Sequence, residues 1–243
     1  MTEFILLGCG NAQGVPAIGN DWGKCDPSEP RNHRTRAAAA VVSDKTTVLI
    51  DFGPDISAQL TRAEIKTADY VLLTHEHGDH VNGIDDLRAL AFRRKTPVPI
   101  YGRRSSLDRL EERFPYALGK LNSDLYRAFI ELNEIKIKPQ IFGNVELTPF
   151  EQDHGSCISL GFRFGNMAYS TDMRRLDHSA INTLKGIDNW IVDGGAYWEE
   201  TNPVHANIQT LFDLNAEIGA SNVYLTHLPR HMDYKKLYSE LPE

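Results

Sequence analysis

The segment from Thr74 to His80, Thr-His-Glu-His-Gly-Asp-His, constrains the fold of this chain more than any other. It follows the short apolar run from Tyr70 to Leu73. Such a run, partly β-branched and ending in polar residues and a glycine, is typical of a buried strand that opens into a loop. Three imidazoles and an aspartate carboxylate, all candidate metal ligands, are therefore expected at the end of one strand.

The spacing inside this segment indicates how the ligands divide. In an extended segment His75 and His77 point to the same side, whereas Asp79 and His80 lie beyond Gly78 and can be turned elsewhere. One metal ion would take the first pair and a second ion the other pair. Imidazole suits zinc, and a mixture of imidazole and carboxylate also accepts manganese or iron. A solvated histidine-rich turn is the simpler alternative.

Three later segments show the same pattern, an apolar strand that ends abruptly in a ligand-type residue. They end at His154, Asp172 and His227. If all these strand ends meet at one edge of a layered α/β fold, they complete two metal sites, and Asp172 has two carboxylate oxygens with which to bridge them. The predicted ligands are His75, His77 and His154 for the first ion and Asp79, His80 and His227 for the second.

The order and spacing of these ligands resemble the metallo-β-lactamase superfamily of binuclear metallohydrolases. The segment Val48–Gly53, VLIDFG, is similar to the superfamily's strand that carries an aspartate, so the resemblance covers nearly the whole chain. It implies an α/β (α+β) fold, a four-layer αββα sandwich, in a single domain over residues 1–243. It also implies that Asp51 holds a ligand loop by hydrogen bonds. Capping of a helix from Asp55 to Leu60 is the alternative role for that carboxylate.

Apolar periodicity places the strands and helices along the chain. No repeat, low-complexity tract or change of composition marks a linker, and 243 residues fit one α/β domain of about 200–250 residues. The predicted strands are Phe4–Leu7, Ala37–Ser43, Thr47–Asp51, Asp69–Thr74, Val98–Tyr101, Val145–Phe150, Ile158–Phe164, Met167–Thr171, Asn189–Asp193 and Val223–Thr226. The predicted helices are Gly83–Arg94, Leu107–Phe114, Leu125–Phe129, His178–Leu184 and Asn207–Glu217, and Gly102–Asn144 as a whole is interpreted as helical.

Two segments narrow the resemblance within the superfamily. The glycine-rich segment Gly8–Gly19 resembles the G-x-x-x-Q-G-V-P loop of the phosphonate-pathway cyclic-phosphate phosphodiesterases, which are relatives of the tRNA-processing ribonuclease Z. The segment NPVHANIQT places His205 before a helical pattern, at the position where both families have a histidine that serves the phosphodiester. The resemblance therefore implies hydrolysis of a small cyclic or nucleotide-like phosphodiester.

For this reaction we predict that a metal-bridging hydroxide attacks phosphorus while His205, as imidazolium, protonates the departing oxygen. Asp79 and Asp172 would hold the metals and orient the hydroxide. The predicted catalytic residues are therefore His205, Asp79 and Asp172, and the predicted substrate-binding residues are Gly14, Arg31, Arg34 and His231. A local structural role is the alternative for His231.

The chain departs from the phosphodiesterase pattern in one segment. That family has a cysteine cluster and a late histidine that hold an additional structural zinc, but here Asn20 and Trp22 stand where thiols are expected, and only Cys25 is kept. Because a closed tetrahedral site is then two thiolates short, we predict two divalent ions per chain, zinc and/or manganese, and no third structural zinc. Cys9, Cys25 and Cys157 are scattered without a C-x-x-C pair, which indicates a reducing compartment and roles as apolar filler.

Charge restricts the partners. The chain has 26 Lys and Arg against 33 Asp and Glu, a net charge of −7, which disfavours long nucleic acid. The basic runs Arg31–Arg36 and Phe92–Arg104 suit a terminal phosphate or a nucleotide, or are solvated faces. The start, MTEFILLGCG, resembles neither a secretory signal nor a membrane anchor, so we expect a cytoplasmic protein without a membrane partner. A homodimer fits the resemblance, since dimers are common among relatives.

Three other functions stay open. The first is a ribonuclease Z-like tRNA 3′-processing endonuclease, although its long tRNA-gripping arm is not evident in Gly102–Asn144, where RFPYALGKL would instead form a lid with Phe114 and Tyr116. The second is a thioester or lactam hydrolase, because the same hydroxide attacks carbonyl carbon. The third is a metal-bearing, nucleotide-binding regulatory protein, against which a complete ligand set argues.

Overall fold

Two six-stranded sheets form the centre of the molecule in the computed structural model, which describes residues 2–120 and 127–241. In each sheet the strands lie side by side in the order in which they follow along the chain. The first sheet contains β1 (Glu3–Gly8), β2 (Ala38–Val42), β3 (Thr47–Ile50), β4 (Tyr70–Leu72), β5 (Val98–Gly102) and β6 (Ile130–Glu134). The second contains β7 (Gln140–Phe142), β8 (Val145–Asp153), β9 (Ile158–Phe164), β10 (Met167–Ser170), β11 (Asn189–Asp193) and β12 (Asn222–Thr226).

Each sheet has an antiparallel part and a parallel part. Strands β3 to β6 pair in parallel, and so do β10 to β12, whereas the other neighbours are antiparallel. Parallel neighbours need crossover connections, and helices supply several of them. The helices are α1 (Ile56–Arg62), α2 (Gly78–Val81), α3 (Leu87–Arg94), α4 (Arg104–Arg113), α5 (His178–Leu184), α6 (Ile208–Ile218) and α7 (Tyr234–Glu240).

Buried side chains fill three interfaces between four layers. In β3, Val48 and Ile50 join the cluster between the sheets, whereas Leu49 joins the cluster between the first sheet and its helices, as the two-residue period of a strand requires. Outside the second sheet, Trp190 packs with Leu184 of α5 and with α6. The predicted αββα sandwich is thereby confirmed. The single domain over residues 1–243 stays a prediction.

The helical prediction for Gly102–Asn144 is wrong beyond α4 and a short 3-10 turn at Pro115–Leu118, because β6 and β7 follow. Strand β6 pairs in parallel with β5 along its whole length, from Ile130 to Glu134. This pairing with a largely buried strand outweighs the helix propensity of its glutamates and leucine. Residues 127–129 of the predicted helix Leu125–Phe129 are not helical, and Leu125 and Tyr126 lie outside the described residues.

Other elements also differ from the sequence patterns. The helix predicted over Gly83–Arg94 is divided into a 3-10 turn at Ile84–Asp86 and α3, and α7 was not predicted. Phe114 and Tyr116 pack against the core between the first sheet and its helices, and their role in a lid stays a prediction. Among residues 2–120 and 127–241, the helices are too short or too polar to cross a lipid bilayer.

Candidate active site

The predicted metal ligands of both sheets meet at one edge of the sandwich. They lie in the loop after β4 and in α2, which carry His75, His77, Asp79 and His80, and within two residues of the ends of β8, β10 and β12, which carry His154, Asp172 and His227. In one group, the ligand atoms of His75, His154 and Asp172 lie within 4.8 Å of one another, and in the other group those of Asp79, His80 and His227 do. The His77 ring is centred 4.4 Å from the ring of His75.

Asp172 lies between the two groups. Its Oδ1 is 3.4 Å from Nε2 of His154 and 3.4 Å from Nε2 of His227, and its Oδ2 is 3.1 Å from Nε2 of His80. Asp79 contacts only the second group, with Oδ2 3.3 Å from His80 Nε2 and 3.5 Å from His227 Nε2. This placement agrees with the bridging role expected of Asp172 and with a terminal role for Asp79.

The cluster fits a pair of divalent cations. Nε2 atoms of His75, His80 and His227 are buried, and none makes a hydrogen bond of acceptable geometry to the residues that the structure describes. A buried polar atom without a partner costs about 1–3 kcal/mol, and a cation at each group would provide the missing partner. Imidazole nitrogens with carboxylate oxygens are ligands that zinc and manganese accept.

The charges of the cluster shift the pKa values of its members. Burial lowers the pKa of His75 well below its usual value. Although burial opposes the charged forms, the imidazoles of His227 and His80 hold the pKa of Asp172 well below its usual range, and the carboxylates around His80 raise its pKa well above. A cation would take the place of the His80 proton, so metal affinity should fall at acidic pH.

Buried hydrogen bonds orient the ligands. The fully buried Asp51 accepts hydrogen bonds from the backbone N–H and the hydroxyl of Thr74, both at 2.8 Å, and its Oδ2 lies 2.7 Å from Nδ1 of His80. Nδ1 of His154 lies 2.8 Å from the carbonyl oxygen of Val204. Each contact leaves Nε2 to face the cluster. Asp51 therefore holds the ligand loop, as the resemblance implies, and does not cap α1.

Three of these residues have backbone conformations that are rare for side-chain-bearing residues. The φ angles of Asp51, Asp172 and His227 are 66°, 52° and 58°, in the left-handed region. Each residue follows a strand directly or within two positions, and the left-handed turn aims its side chain across the strand end. Such conformations cost about 1–3 kcal/mol each and concentrate at functional sites.

Beside the cluster, His205 forms a pair with Asp193. Its Nδ1 lies 2.6 Å from Asp193 Oδ2, and its ring is centred 5.0 Å from that of His227 and 5.3 Å from that of His154. Asp193 is fully buried and also accepts hydrogen bonds from the backbone N–H groups of Met173 and Gly195, at 2.9 and 2.7 Å. Burial lowers the pKa of His205, but the Asp193 carboxylate outweighs it and raises that pKa to about 9.

Asp193 is the functional residue that the sequence reasoning missed. It ends the strand NWIVD, so it carries the same signal, an apolar strand that ends in an acid, that identified Asp172. The seven predicted ligands already complete two metal sites, so this pattern alone does not indicate a role for Asp193. The need of His205 for a carboxylate partner is the signal that points to Asp193.

The residues predicted to bind substrate are spread over several places. Gly14, with a φ of 71°, and Arg34 line one cavity of about 380 Å³. Arg34 is buried, and its guanidinium donates to the carbonyl of Pro229 and to the side-chain oxygen of Asn32. Substrate binding by these two residues stays a prediction.

Arg31 and His231 are not among the residues that line this cavity, although the carbonyl of Arg31 accepts a hydrogen bond from the guanidinium of Arg34 at 3.4 Å. The guanidinium of Arg31 pairs with Glu29 at 2.5 Å and lies 3.9 Å from the centre of the Tyr234 ring. His231 is partly buried, and burial lowers its pKa. Their roles in binding also stay predictions.

The structure gives the cysteines different surroundings. The thiol sulfur of Cys157 lies within 4.8 Å of a ring nitrogen of His75 and of His77, and burial raises its pKa to about 11. Cys25 is buried, and in the part of the chain that the structure describes it belongs to no group of three or more candidate ligands. The absence of a third zinc stays a prediction.

Comparison with known proteins identifies the family. The model of the beta-lactamase superfamily domain matches residues 46–228. The chain belongs to the metallo-β-lactamase superfamily of hydrolases. A crystal structure described as a new diphosphatase from the PhnP family superposes with a TM-score of 0.88, at 28% identity, over 100% of this chain and 93% of that one. The resemblance to PhnP-like members of the superfamily is thereby confirmed.

Two curated relatives are longer than this chain. An octanoyltransferase of Porphyromonas gingivalis is 33% identical over 241 residues, which are 98% of this chain and 48% of the relative. A ribonuclease Z of Thermococcus kodakarensis is 29% identical over 144 residues, which are 56% of this chain and 42% of the relative. The aligned regions thus make up about half or less of these two proteins.

Proposed function

We propose that this chain is a metal-dependent phosphodiesterase that hydrolyses a small cyclic or nucleotide-like phosphodiester. The observation that carries the proposal is the pair of His205 and Asp193, an oriented proton donor beside a metal-ligand cluster. An alkoxide leaving group needs such a donor. The similarity to a diphosphatase and to a ribonuclease supports attack at phosphorus over attack at the carbonyl of a thioester or lactam.

Two divalent ions, zinc and/or manganese, would be held by the two ligand groups, with Asp172 contacting both. When bound, they lower the pKa of a water molecule and neutralise the charge that develops on phosphorus. The chain's own part is to fix the ligands, through the hydrogen bonds of Asp51 to Thr74 and to His80. We assign Asp79 and Asp172 to the catalytic centre on the same basis.

His205 would protonate the leaving oxygen. With a pKa of about 9, its ring is an imidazolium at neutral pH. Nδ1–H donates to Asp193, which leaves the proton on Nε2 for the substrate. The backbone N–H groups of Met173 and Gly195 hold the Asp193 carboxylate in place, so the ring keeps one orientation.

A diphosphate-linked compound is the second candidate substrate class, because the PhnP-family structure similar to this chain is described as a diphosphatase. The bridging P–O–P oxygen of such a compound is an anhydride oxygen that departs as part of a phosphate, and the same residues would serve its cleavage. A ribonuclease Z-like activity on tRNA is less favoured, since the net charge of −7 works against a long polyanion. Cytoplasmic location and a homodimer belong to the proposal as expectations.

The test is hydrolysis of a 2′,3′-cyclic nucleotide and of bis(4-nitrophenyl) phosphate by protein loaded with zinc or manganese. We expect metal-dependent turnover that is lost in Asp172→Asn, while Asp188→Asn, an acid at the far end of β11, serves as the matched control and keeps it. Turnover of neither diester with either metal, together with cleavage of pre-tRNA or a thioester, would overturn the proposal.

A further inference from the structure

A small cavity opens beside His205. It has a volume of about 210 Å³, and its lining includes Arg174, Arg175, Asn202, His205, Asn207 and Thr210. Small-molecule pockets usually measure about 300–1,000 Å³. This cavity therefore suits one compact group and not a nucleobase with its sugar.

The two arginines are held there by the metal-ligand region itself. The backbone N–H groups of Arg174 and Arg175 donate to the carbonyl of Asp153, at 2.8 and 3.2 Å, and the N–H of Asp153 donates to the carbonyl of Arg175 at 3.0 Å. Asp153 precedes the ligand His154, and Arg174 is two residues after Asp172. The position of the arginine pair is thus fixed relative to the metal ligands.

The guanidinium groups of Arg174 and Arg175 differ in their ion pairs. Arg174 forms an ion pair with Asp153, at 2.6 Å. Arg175 is exposed, and its guanidinium has no ion pair with any residue in 2–120 or 127–241. Among the lining residues Glu200 is the one acid, and it is exposed. Asn207, the N-cap of α6, and Thr210 bring the positive end of that helix to the same cavity.

Another polar group of the lining, the side chain of Asn202, holds the backbone of His205 in place. The side-chain oxygen of Asn202 accepts hydrogen bonds from the backbone N–H groups of Val204 and His205, both at 2.9 Å. The cavity therefore keeps its position relative to the proton donor. Because a proton donor must face the leaving oxygen, a cavity that shares His205 lies on the leaving-group side of the scissile bond.

We propose that this cavity binds a phosphoryl group of the leaving group and that Arg175 is the specificity-determining residue. The inference rests on the proposed function and narrows its substrate class to compounds joined by a diphosphate. Water oxygen forms the new bond to the attacked phosphorus, and the bridging P–O bond breaks with its electron pair on the bridging oxygen, which receives the His205 proton. Two monophosphates result, and no oxidant or reductant is needed.

The test compares two substrates with the metal-loaded protein: diadenosine 5′,5′-diphosphate, whose leaving group carries a phosphate, and bis(4-nitrophenyl) phosphate, whose leaving group does not. In Arg175→Ala, the ratio of kcat/KM for the diphosphate to kcat/KM for the aryl diester should fall about 10- to 100-fold, the value of a charge-assisted hydrogen bond. Arg175→Lys should recover part of that ratio. Arg109→Ala, an exposed arginine on α4, is the matched control and should leave both rates unchanged.

The outcomes separate this inference from the proposed function. An unaltered ratio in Arg175→Ala, or turnover of the aryl diester alone by the wild type, would refute the phosphoryl cavity while the phosphodiesterase stands. If neither compound is hydrolysed, the proposed function fails, and calorimetric titration with AMP decides the inference. Binding that weakens about tenfold or more in Arg175→Ala would support the cavity, and equal binding by both proteins would refute it.

Discussion

Replacement of Asp193 by asparagine should move the alkaline limb of the pH–rate profile. The carboxylate lies 2.6 Å from Nδ1 of His205, whose side chain is 16% exposed. It raises the pKa of His205 from 6.5 to about 9, which corresponds to about 3 kcal/mol at about 1.36 kcal/mol per pKa unit. Without that charge, the pKa of the imidazole should fall toward its ordinary value, because burial lowers it and only the smaller effects of Asp172 and Glu199 still raise it.

The sign of the effect follows from the role of His205 as an acid. A group with a raised pKa keeps its proton up to that pKa, so the wild-type rate should fall only above pH 9, and the Asp193→Asn rate should fall above about pH 6.5. At pH 8 the protonated fraction drops from about 0.9 to about 0.03, so the rate should fall about 30-fold. At pH 6 both proteins are largely protonated, and their rates should differ by less than about twofold on this account.

The assay is a pH–rate profile of kcat/KM on a 2′,3′-cyclic nucleotide, whose alcohol leaves poorly, and on bis(4-nitrophenyl) phosphate, whose phenol leaves without a proton. The 30-fold loss should be confined to the first substrate. An equal loss on both substrates at pH 6 would refute the reasoning, because it would mean that Asp193 acts by holding Met173 beside Asp172 and not through the proton on His205.

Three further changes test other parts of the structure. His205→Ala should lower kcat on a cyclic nucleotide by about 10²- to 10⁴-fold, with the exposed His178→Ala as the matched control, and an unchanged rate would exclude the acid role. Asp51→Asn should weaken metal affinity about 10- to 100-fold in chelator competition, since Nδ1 of His80 loses its carboxylate, and unchanged affinity would contradict that contact. Phe162→Ala removes a fully buried ring between the sheets and should reduce the free energy of unfolding by about 3–5 kcal/mol in urea denaturation, whereas a loss below about 1 kcal/mol would contradict the packing.

The clustering of the candidate ligands could be predicted because its signal is local. Each ligand follows an apolar strand, and the carboxyl ends of parallel strands such as β10 to β12 lie at one edge of a sheet. The same pattern therefore predicts the location of the candidate site together with the strands that carry it. The left-handed backbone at Asp172 and His227 was not predictable in this way. Aspartate and histidine adopt left-handed φ angles too rarely for the residue type alone to indicate that conformation.

What the sequence did not reveal depends on contacts between distant segments. Strand β6 is a strand because it pairs with β5 across an intervening stretch that includes α4, while its own composition favours a helix. Arg34, predicted from sequence to bind substrate, donates to Pro229, almost two hundred positions away. A charged side chain in a short basic run can be buried and hydrogen-bonded inside the protein, and the neighbouring sequence does not show this.

The buried carboxylate of Asp193 joins two functions that the sequence presents as separate. Its Oδ2 contacts both Nδ1 of His205 and the backbone N–H of Met173, the residue after Asp172. His205, the proposed proton donor, and the backbone next to Asp172, the proposed bridging ligand, are therefore positioned against the same oxygen atom. A shift of β11 relative to β10 would carry Asp193, and with it the contact to His205, away from Met173 and Asp172, and would change the distance between His205 and the ligand cluster. Since a misplacement of about 1 Å can cost about 10²-fold in rate, the parallel pairing of β10 with β11 is a requirement of the proposed chemistry as well as of the fold.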